Sequence, residues 1–209
     1  MKNSYKAKIG RTRKAARSLP RRERSSLASA VEQEIQRLGM PGGRFTIELR
    51  PNSSDELLPN GLEQVELLVS ANPGQPLKAL AKVASGGELS RISLAIEVAA
   101  LGLDDIGTMV FDEVDAGIGG AVAEVVGQKL RRLGDKRQVL CVTHLPQVAA
   151  QGHQHLRVVK SSEGGLTRMS IDTLDDKARR DEIARMLGGI EITRETLAHA
   201  RQMLGRSRA

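Results

Sequence analysis

Residues 83–102, "VASGGELSRISLAIEVAALG", place two adjacent glycines directly before a segment with the pattern of an amphipathic helix. The apolar side chains of this segment recur every three or four residues and form one stripe: Leu89, Ile92, Ile96 and Ala99. Ser85 and Glu88 have the S-x-x-E spacing of a capping box, in which two side chains satisfy N–H groups at a helix start. The segment therefore predicts a helix that begins at the glycines and packs its stripe on the core.

Gly86 and Gly87 need an explanation of their own, because capping does not require glycine. Each glycine in the first turn of a helix costs about 1 kcal/mol relative to alanine. Without side chains, the N–H groups at the positive end of the helix are open to a close ligand, and a phosphate suits that position. Two explanations stand at this point: a capped helix in which the glycines are incidental, and a phosphate-binding turn.

The rest of the chain alternates helices and strands, which predicts an α/β fold. Strands 44–50 and 63–70 alternate apolar and polar residues and are expected to pair, whereas 107–111 and 138–143 have the character of short or buried parallel strands. Further predicted elements are a helix over 20–38, a helix over 119–134, a hairpin around 163–165, and helices over 175–187 and 193–204.

Two adjacent carboxylates follow the strand 107–111. In "TMVFDEVDAGIGG" the strand ends at Asp112 and Glu113, whose side chains are expected on opposite faces because side chains alternate along a strand. One carboxylate can hold Mg²⁺ while the other orients or deprotonates water. The simpler interpretation is an acidic turn exposed to solvent.

A histidine ends the next strand. In "QVLCVTHLPQ" the apolar run stops at Thr143 and His144, and in open parallel sheets ligands gather at the carboxyl ends of strands. A lone histidine at such a place is more often structural than catalytic. Together, however, the three features predict a single ligand-binding edge. The helix start with its two glycines would contact a phosphate, the acid pair a metal, and the histidine a γ-phosphate.

The positive charge of the 209-residue chain is concentrated at its start. Residues 1–24 hold ten Lys or Arg and one Glu, whereas the other residues hold 22 Lys or Arg and 24 Asp or Glu. Such an arm can bind nucleic acid phosphates or be a solvated chain end. The chain has only three aromatic residues, so base stacking is a poor hypothesis and we expect any DNA contact to be to the backbone.

The remaining composition favours a cytoplasmic protein. Cys141 is the single cysteine, which argues against a disulfide framework or a cysteine-ligated metal and fits a reducing compartment. No apolar stretch approaches the roughly 18–20 residues of a membrane span, so no membrane partner is expected. His153 and His155 lack a third ligand nearby in the sequence, so a zinc site is not favoured.

Four segments, in this order, resemble the motifs of ABC-type ATPases. Residues 85–88 resemble the signature motif, 110–113 the Walker B strand, 115–117 the D-loop, and His144 the switch histidine. The flanking sequences "NPGQPLKALAKVASGGELSRISLAI" and "CVTHLPQVAAQGHQHLRVVK" are similar to the C-terminal part of the RecN family, the SMC-like ATPases of bacterial DNA double-strand break repair. The resemblance covers about residues 39–204.

The resemblance implies a fold and an organisation into two regions. The fold is the C-terminal lobe of an ABC/SMC-type ATPase head, with a mainly parallel sheet flanked by helices, a small antiparallel strand pair and an N-terminal helical arm. Residues 1–38 would be the basic arm and the end of a coiled-coil helix. Residues 39–209 would be the C-terminal half of the head.

The resemblance also implies a role for each motif residue. The signature residues would close over ATP held by a second head: Ser85, Gly86, Gly87 and Glu88. Asp112 would coordinate Mg²⁺ through water, and Glu113 would polarise the attacking water. His144 would touch the γ-phosphate, and Asp115 in the D-loop would contact ATP and communicate across the dimer of heads.

The sequence departs from the family pattern at the nucleotide cradle. No G-x-x-x-x-G-K-[ST] motif occurs, and the nearest spacing, Gly102 to Gly107, is followed by Thr108 instead of lysine. In the family this Walker A cradle lies in the N-terminal half of the protein. The implied partners are therefore an N-terminal half that carries the cradle, a second head in a homodimer of the complete protein, and DNA. ATPase activity and nucleoid association would belong to the completed protein.

Two other functions remain open from the sequence. An ABC transporter ATPase shares the signature, but Val114 follows the acid pair where transporters usually have proline. A chain without a cradle could instead be a non-enzymatic DNA-binding or head-docking protein. Mixing with an N-terminal half separates these, because a head segment restores ATPase activity and an interfering partner suppresses it.

Overall fold

The computed structural model describes residues 21–51, 63–101, 106–163, 166–188 and 191–206. Residues 1–20, which are most of the predicted basic arm, and residues 52–62, between the two predicted strands, lie outside this part of the chain. The described helices are α1 (Arg21–Arg37), α2 (Gly86–Ala99), α3 (Gly120–Gly134), α4 (Pro146–Ala149), α5 (Asp176–Gly188) and α6 (Arg194–Arg206). The strands are β1 (Arg44–Pro51), β2 (Glu63–Ser70), β3 (Lys78–Ala79), β4 (Thr108–Phe111), β5 (Gln138–Cys141), β6 (Leu156–Glu163) and β7 (Leu166–Thr173).

The predicted strand pair near the start of the chain is confirmed. β1 and β2 are antiparallel, and β3 adds two residues to the other edge of β2. Three apolar pairs stand opposite one another on a single face: Phe45 and Val69, Ile47 and Leu67, Leu49 and Val65. These cross-strand contacts join the main hydrophobic core, which explains the alternation of apolar residues in both strands.

Only β4 and β5 pair in parallel among the described strands, so the expectation of a mainly parallel sheet is correct for this pair alone. One face of the pair carries Met109 and Phe111 and is buried in the core. The other face carries exposed apolar side chains: Val110, Leu140 and Val142. The predicted burial of strand 138–143 on both faces is therefore wrong for the described chain, because no described element covers the second face.

Helix α2 is buried on almost every side and not along a single stripe. Ile92, Leu94 and Ala95 are fully buried although they point in different directions around the helix, and Ile96 is nearly so. The sequence predicted one apolar stripe, and the difference arises because α1 packs on a second side of α2. α2 is thus the central element of the core.

Helix α1 is part of that same core. Its buried residues recur at helical spacing and continue just past its end: Leu27, Val31, Ile35 and Leu38. The Glu34 carboxylate lies 2.7 Å from the Lys129 ammonium group of α3, which ties α1 to a third helix. The predicted boundary at residues 38 and 39, and the assignment of this helix to the end of a coiled coil, stay predictions.

The last third of the chain forms a smaller unit, in which the hairpin β6–β7 precedes the helix pair α5–α6. Its small core consists of Ala149, Ala150, Ile183, Ala184 and Ala200. Glu182 of α5 lies 3.8 Å from Arg157 of the hairpin, and a hydrogen bond from Arg185 lowers the pKa of Glu182.

One face of the hairpin exposes four large apolar side chains: Leu156, Val158, Met169 and Ile171. No helix of the described residues is long and apolar enough to cross a membrane.

Gly127 lets α4 approach α3, and this contact supports a first prediction. A Cβ at Gly127 would stand 3.0 Å from the Gln147 carbonyl oxygen and 3.2 Å from Val148 Cα, which are backbone atoms that cannot rotate away. We expect Gly127→Ala to lower the free energy of unfolding by about 1–3 kcal/mol through overpacking. Gly205→Ala on α6, where nothing lies within 4 Å, is the control and should be neutral or stabilising by up to about 1 kcal/mol. Urea unfolding measures both, and equal effects would contradict the packing argument.

Candidate functional site

The start of α2 and the ends of β4 and β5 lie at one edge of the protein. β4 and β5 are parallel with Phe111 opposite Cys141, so the segments that follow both strands leave from the same edge. The Ser90 hydroxyl of α2 donates a 2.7 Å hydrogen bond to the carbonyl oxygen of Asp112. This bond fixes the first turns of α2 directly beneath the acid pair. The three groups expected from the sequence are therefore brought together.

The two glycines at the start of α2 have different surroundings. Ser85 caps the helix, because its hydroxyl oxygen accepts a 3.3 Å hydrogen bond from the Glu88 N–H. Gly86 is exposed, and the Glu113 carboxylate occupies the space that a side chain at Gly86 would need. Gly87 is buried, and a Cβ there would stand 2.9 Å from the Ala116 Cβ. Close packing against Ala116 thus accounts for Gly87, whereas Gly86 lies at the surface with the Glu113 carboxylate beside it.

The acid pair leaves β4 in a tight turn. Glu113 has φ of 58°, a left-handed conformation that residues other than glycine rarely adopt. The turn is closed by a 3.1 Å hydrogen bond from the Ala116 N–H to the Glu113 carbonyl oxygen. Glu113 is exposed and Asp112 is half-buried, and within the described chain neither carboxylate is held in an ion pair. Both side chains are therefore available to a ligand.

A buried carboxylate connects the turn after β4 to the segment after β5. Asp115 is 2% exposed, and its Oδ2 accepts a 2.5 Å hydrogen bond from the Thr143 hydroxyl and a 3.1 Å bond from the His144 N–H. His144 Nδ1 lies 3.3 Å from the same oxygen. The His144 side chain is nevertheless 72% exposed. Asp115 thus fixes the backbone of His144 and leaves most of the imidazole facing solvent.

Three side chains of this network were not singled out from the sequence: Ser90, Arg91 and Thr143. The Arg91 guanidinium, on the buried side of α2, donates a 2.6 Å hydrogen bond to the Ala116 carbonyl oxygen. Burial lowers the pKa of Arg91, while Glu88 and Asp115 act in the opposite direction. Each of the three stands next to or near a residue that was singled out. Their position beside the motifs was the one feature of the sequence that could have indicated them. Their hydrogen bonds join segments that are distant in the sequence, so the bonds could not be predicted from it.

Cys141, at the end of β5, lies beside this network without taking part in it. Burial raises the pKa of its thiol to about 12, and the charges of Asp115 and Asp112 add to the effect. The protonated thiol is therefore the stable form at neutral pH. It packs as a small apolar side chain against the core.

The donor set at this edge limits how a metal can be held. Among the described residues there is no group of three or more His, Cys, Asp or Glu side chains that could surround a cation. Asp112 and Glu113 are the two carboxylates at the end of β4. Such a site suits Mg²⁺, which is usually bound in proteins by one or two carboxylates together with water and substrate phosphates.

Comparison with known proteins shows extensive sequence similarity to one group. No family model matches the chain. The DNA repair protein RecN of Xylella fastidiosa (strain Temecula1) is 55% identical over 199 residues, which is 95% of this chain and 34% of that protein. RecN of Vibrio cholerae is 49% identical over 178 residues, and RecN of Bacillus subtilis is 37% identical over 191 residues. The chain is homologous to RecN. It spans about a third of the length of these RecN relatives and matches their C-terminal part.

Solved structures show the fold that accompanies the RecN similarity. The SMC head domain with a coiled coil and joint from Pyrococcus yayanosii superposes with a TM-score of 0.55 at 21% identity, over 76% of this chain and 28% of that one. The SMC head domain from Pyrococcus furiosus, bound to the C-terminal domain of ScpA, gives 0.53 at 20% identity, over 77% of this chain and 38% of that one. The α/β fold is therefore that of an SMC ATPase head lobe, as expected.

Asp115 supports a second prediction. In Asp115→Asn a neutral amide oxygen replaces the charged oxygen that accepts from the Thr143 hydroxyl and the His144 N–H, and both hydrogen bonds become weaker because they are no longer charge-assisted. We expect the free energy of unfolding to fall by about 1–3 kcal/mol. The matched control is Asp135→Asn, because the Asp135 side chain is 61% exposed and 3.9 Å from His153. Chemical denaturation would contradict the network if the two variants lost equal stability.

Proposed function

We propose that this chain is the C-terminal head segment of an SMC-like ATPase that acts in DNA double-strand break repair and recombination. It would supply the signature motif, the Walker B strand and the switch histidine to ATP sandwiched between two heads. The observation that carries the proposal is the convergence of the α2 start, the acid pair and His144 on one edge. The homology to RecN supports the same assignment.

Glu113 is the proposed catalytic base, or water-orienting carboxylate. Its backbone is fixed by the turn that follows β4, and its side chain is exposed at the site edge without an ion-pair partner among the described residues. A carboxylate held in this way can accept a hydrogen bond from a water molecule and orient it for in-line attack. Asp112, directed from the preceding position of the strand, is the proposed carboxylate for Mg²⁺.

His144 is the proposed contact to the γ-phosphate. Because Nδ1 faces Asp115, Nε2 is the ring nitrogen that remains available to a ligand. Asp115 has its Oδ2 engaged inside the chain, so its proposed part in the ATP site includes holding Thr143 and His144 in place. The exposed turn that follows it, at Gly117 and Gly119, is open to a second head.

Ser85, Gly86, Gly87 and Glu88 form the proposed signature turn. The start of α2 stands at the positive end of the helix dipole and is exposed at Gly86, so a phosphate that binds there would displace the Glu113 carboxylate from the space above Gly86. Gly87 contributes through packing, because its close contact with Ala116 holds the signature turn against the D-loop. When bound, Mg²⁺–ATP supplies the reactive phosphoanhydride and the charge neutralisation for its hydrolysis.

The uncovered face of the β4–β5 pair indicates where the rest of such a protein would dock. Parallel strands are normally covered on both faces, yet Val110, Leu140 and Val142 are exposed. The RecN relatives are about three times as long as this chain, so they contain ample additional sequence to cover this face. We propose that an N-terminal half carrying the Walker A cradle packs there. DNA would be contacted through backbone phosphates, and the completed protein would be cytoplasmic and associated with the nucleoid.

ATPase complementation tests the proposal. We expect the chain alone to bind ATP weakly and to hydrolyse it negligibly, because its sequence has no phosphate-binding lysine motif. Adding the N-terminal two thirds of a RecN relative should restore ATPase activity. Glu113→Gln should then lower kcat by about 100-fold or more while nucleotide binding persists.

Glu124→Gln on α3 is the matched control, since it removes a carboxylate away from the site edge, and it should leave kcat unchanged. Appreciable turnover by the chain alone would refute the division of the active site between two segments. Suppression of a complete RecN relative without any restored activity would favour the non-enzymatic docking function instead.

The docking face gives a further prediction. Leu140→Asp places a charge on the exposed face of β5, so it should weaken association with the N-terminal segment by about tenfold or more while the chain stays folded. Ile192→Asp is the control, because Leu140 is 45% and Ile192 46% exposed. Analytical ultracentrifugation with circular dichroism measures association and folding together. Equal association of both variants would place the interface elsewhere.

A further inference from the structure

Arg179 of α5 is a buried arginine that donates hydrogen bonds to the end of α4 and the segment directly after it. The side chain is 7% exposed, and its guanidinium donates to main-chain carbonyl oxygens. Nη1 donates to His153 at 3.3 Å, and Nη2 donates to Ala149 at 3.4 Å, to Ala150 at 3.0 Å and to Gly152. One guanidinium thus contacts four carbonyl oxygens at and after the end of a short helix, and the Ala149 oxygen also accepts a 3.3 Å hydrogen bond from the Gly152 N–H.

A second arginine completes this arrangement. Arg131 of α3 donates a 2.7 Å hydrogen bond to the Gln151 carbonyl oxygen. Consecutive carbonyl oxygens from 149 to 153 are therefore held by arginines from two different helices. Gly127 of α3 adds a close contact with the same segment, since a Cβ there would stand 2.7 Å from Gln151 Cγ. The segment is fixed to α3 and α5 at once.

The other end of this fixed segment adjoins His144. The Leu145 carbonyl oxygen accepts hydrogen bonds from the Val148 N–H at 3.1 Å and the Ala149 N–H at 3.0 Å. The Ala150 N–H donates to Pro146 at 2.9 Å. Residues 145–150 thus form one continuous hydrogen-bonded turn. If the carbonyl groups held by Arg179 shift, this turn should shift with them, and so should His144, which directly precedes the turn.

We infer that Arg179 is a positioning residue for His144, and that the α5–α6 pair sets the placement of the imidazole through it. His144 is then held from two sides: Asp115 binds its N–H, and the turn held by Arg179 fixes the chain that follows. A guanidinium is required because its donors lie in one plane and reach several carbonyls, whereas a lysine ammonium is a point charge. The consequence for ATP turnover rests on the proposed function, but the positional coupling does not.

Amide hydrogen exchange of the chain, resolved by NMR, tests the coupling. Arg179→Lys keeps the charge and should keep the fold. We expect exchange of the His144, Val148, Ala149 and Ala150 amides to accelerate about tenfold, while the amides of α2 keep their rates. The His144 imidazole resonances should shift as well, and they are readily identified because the chain has four histidines.

Arg180→Ala is the matched control on the same helix, because the Arg180 guanidinium is bonded to the adjacent Asp181 and not to the carbonyl oxygens of 149–153. It should leave all of these rates unchanged. Acceleration limited to Ala149 and Ala150, with His144 unaffected, would overturn the inference. Equal acceleration in α2 would also overturn it, since that pattern reports only lost global stability.

Complementation with the N-terminal segment of a RecN relative separates this inference from the proposed function. Arg179→Lys should lower kcat several-fold and leave the KM for ATP unchanged, because the cradle lies in the other segment. If the wild-type mixture has no ATPase activity but the exchange result holds, the proposed function fails and the coupling stands. If the wild-type mixture is active and Arg179→Lys changes neither kcat nor exchange at His144, the coupling fails and the proposed function stands.

Discussion

The buried carboxylate of Asp115 is the interaction on which the site depends. Two parallel strands, β4 and β5, end side by side, but their ladder stops at the 3.0 Å hydrogen bond from the Val142 N–H to the Phe111 carbonyl oxygen and does not fix Thr143 and His144. Asp115 supplies that constraint by accepting hydrogen bonds from Thr143 and from the His144 N–H. Since the carboxylate is shielded from water, these bonds are stronger than they would be at the surface. The acid pair and the histidine consequently keep a defined separation.

Helix α2 provides the platform beneath this network. It is buried on nearly every side, so its start cannot shift without disturbing the core. Ser90 and Arg91 connect it to the turn after β4 through the carbonyl oxygens of Asp112 and Ala116. Any force that a ligand exerts on the start of α2 is therefore transmitted to the acid pair. The glycines belong to the same design, because Gly87 lets the turn sit close enough for the Arg91 contact.

Local pattern was sufficient to predict most elements and the edge where they meet. The helical spacing of Ile92 and Ile96, the alternation in β1 and β2, and the polar residues after each apolar strand are properties of short segments, so they can be read without tertiary information. The share of parallel and antiparallel pairing could not be predicted, because it depends on which strands lie next to one another in the folded chain. The exposure of Leu140 is likewise a property of what packs above it and not of the strand sequence.

The same limit applies to the site. Glu113 and His144 could be singled out from the sequence because each follows an apolar strand closely and has a side chain that can bind a ligand or move a proton. Arg179 was not, because an arginine on a helix is ordinarily a surface residue, and only the tertiary fold brings it to the carbonyls after α4. The two glycines were read as one unit, yet their environments differ since one faces solvent and the other faces Ala116.

The left-handed backbone of Glu113 has an evolutionary consequence. A non-glycine residue in this conformation carries a steric penalty of the order of 1 kcal/mol, which glycine would avoid and asparagine would reduce. Selection for stability alone would therefore favour glycine or asparagine over glutamate at this position. On the proposed function, glutamate at this position exchanges stability for chemistry, so related proteins without the ATPase activity should carry glycine or asparagine here.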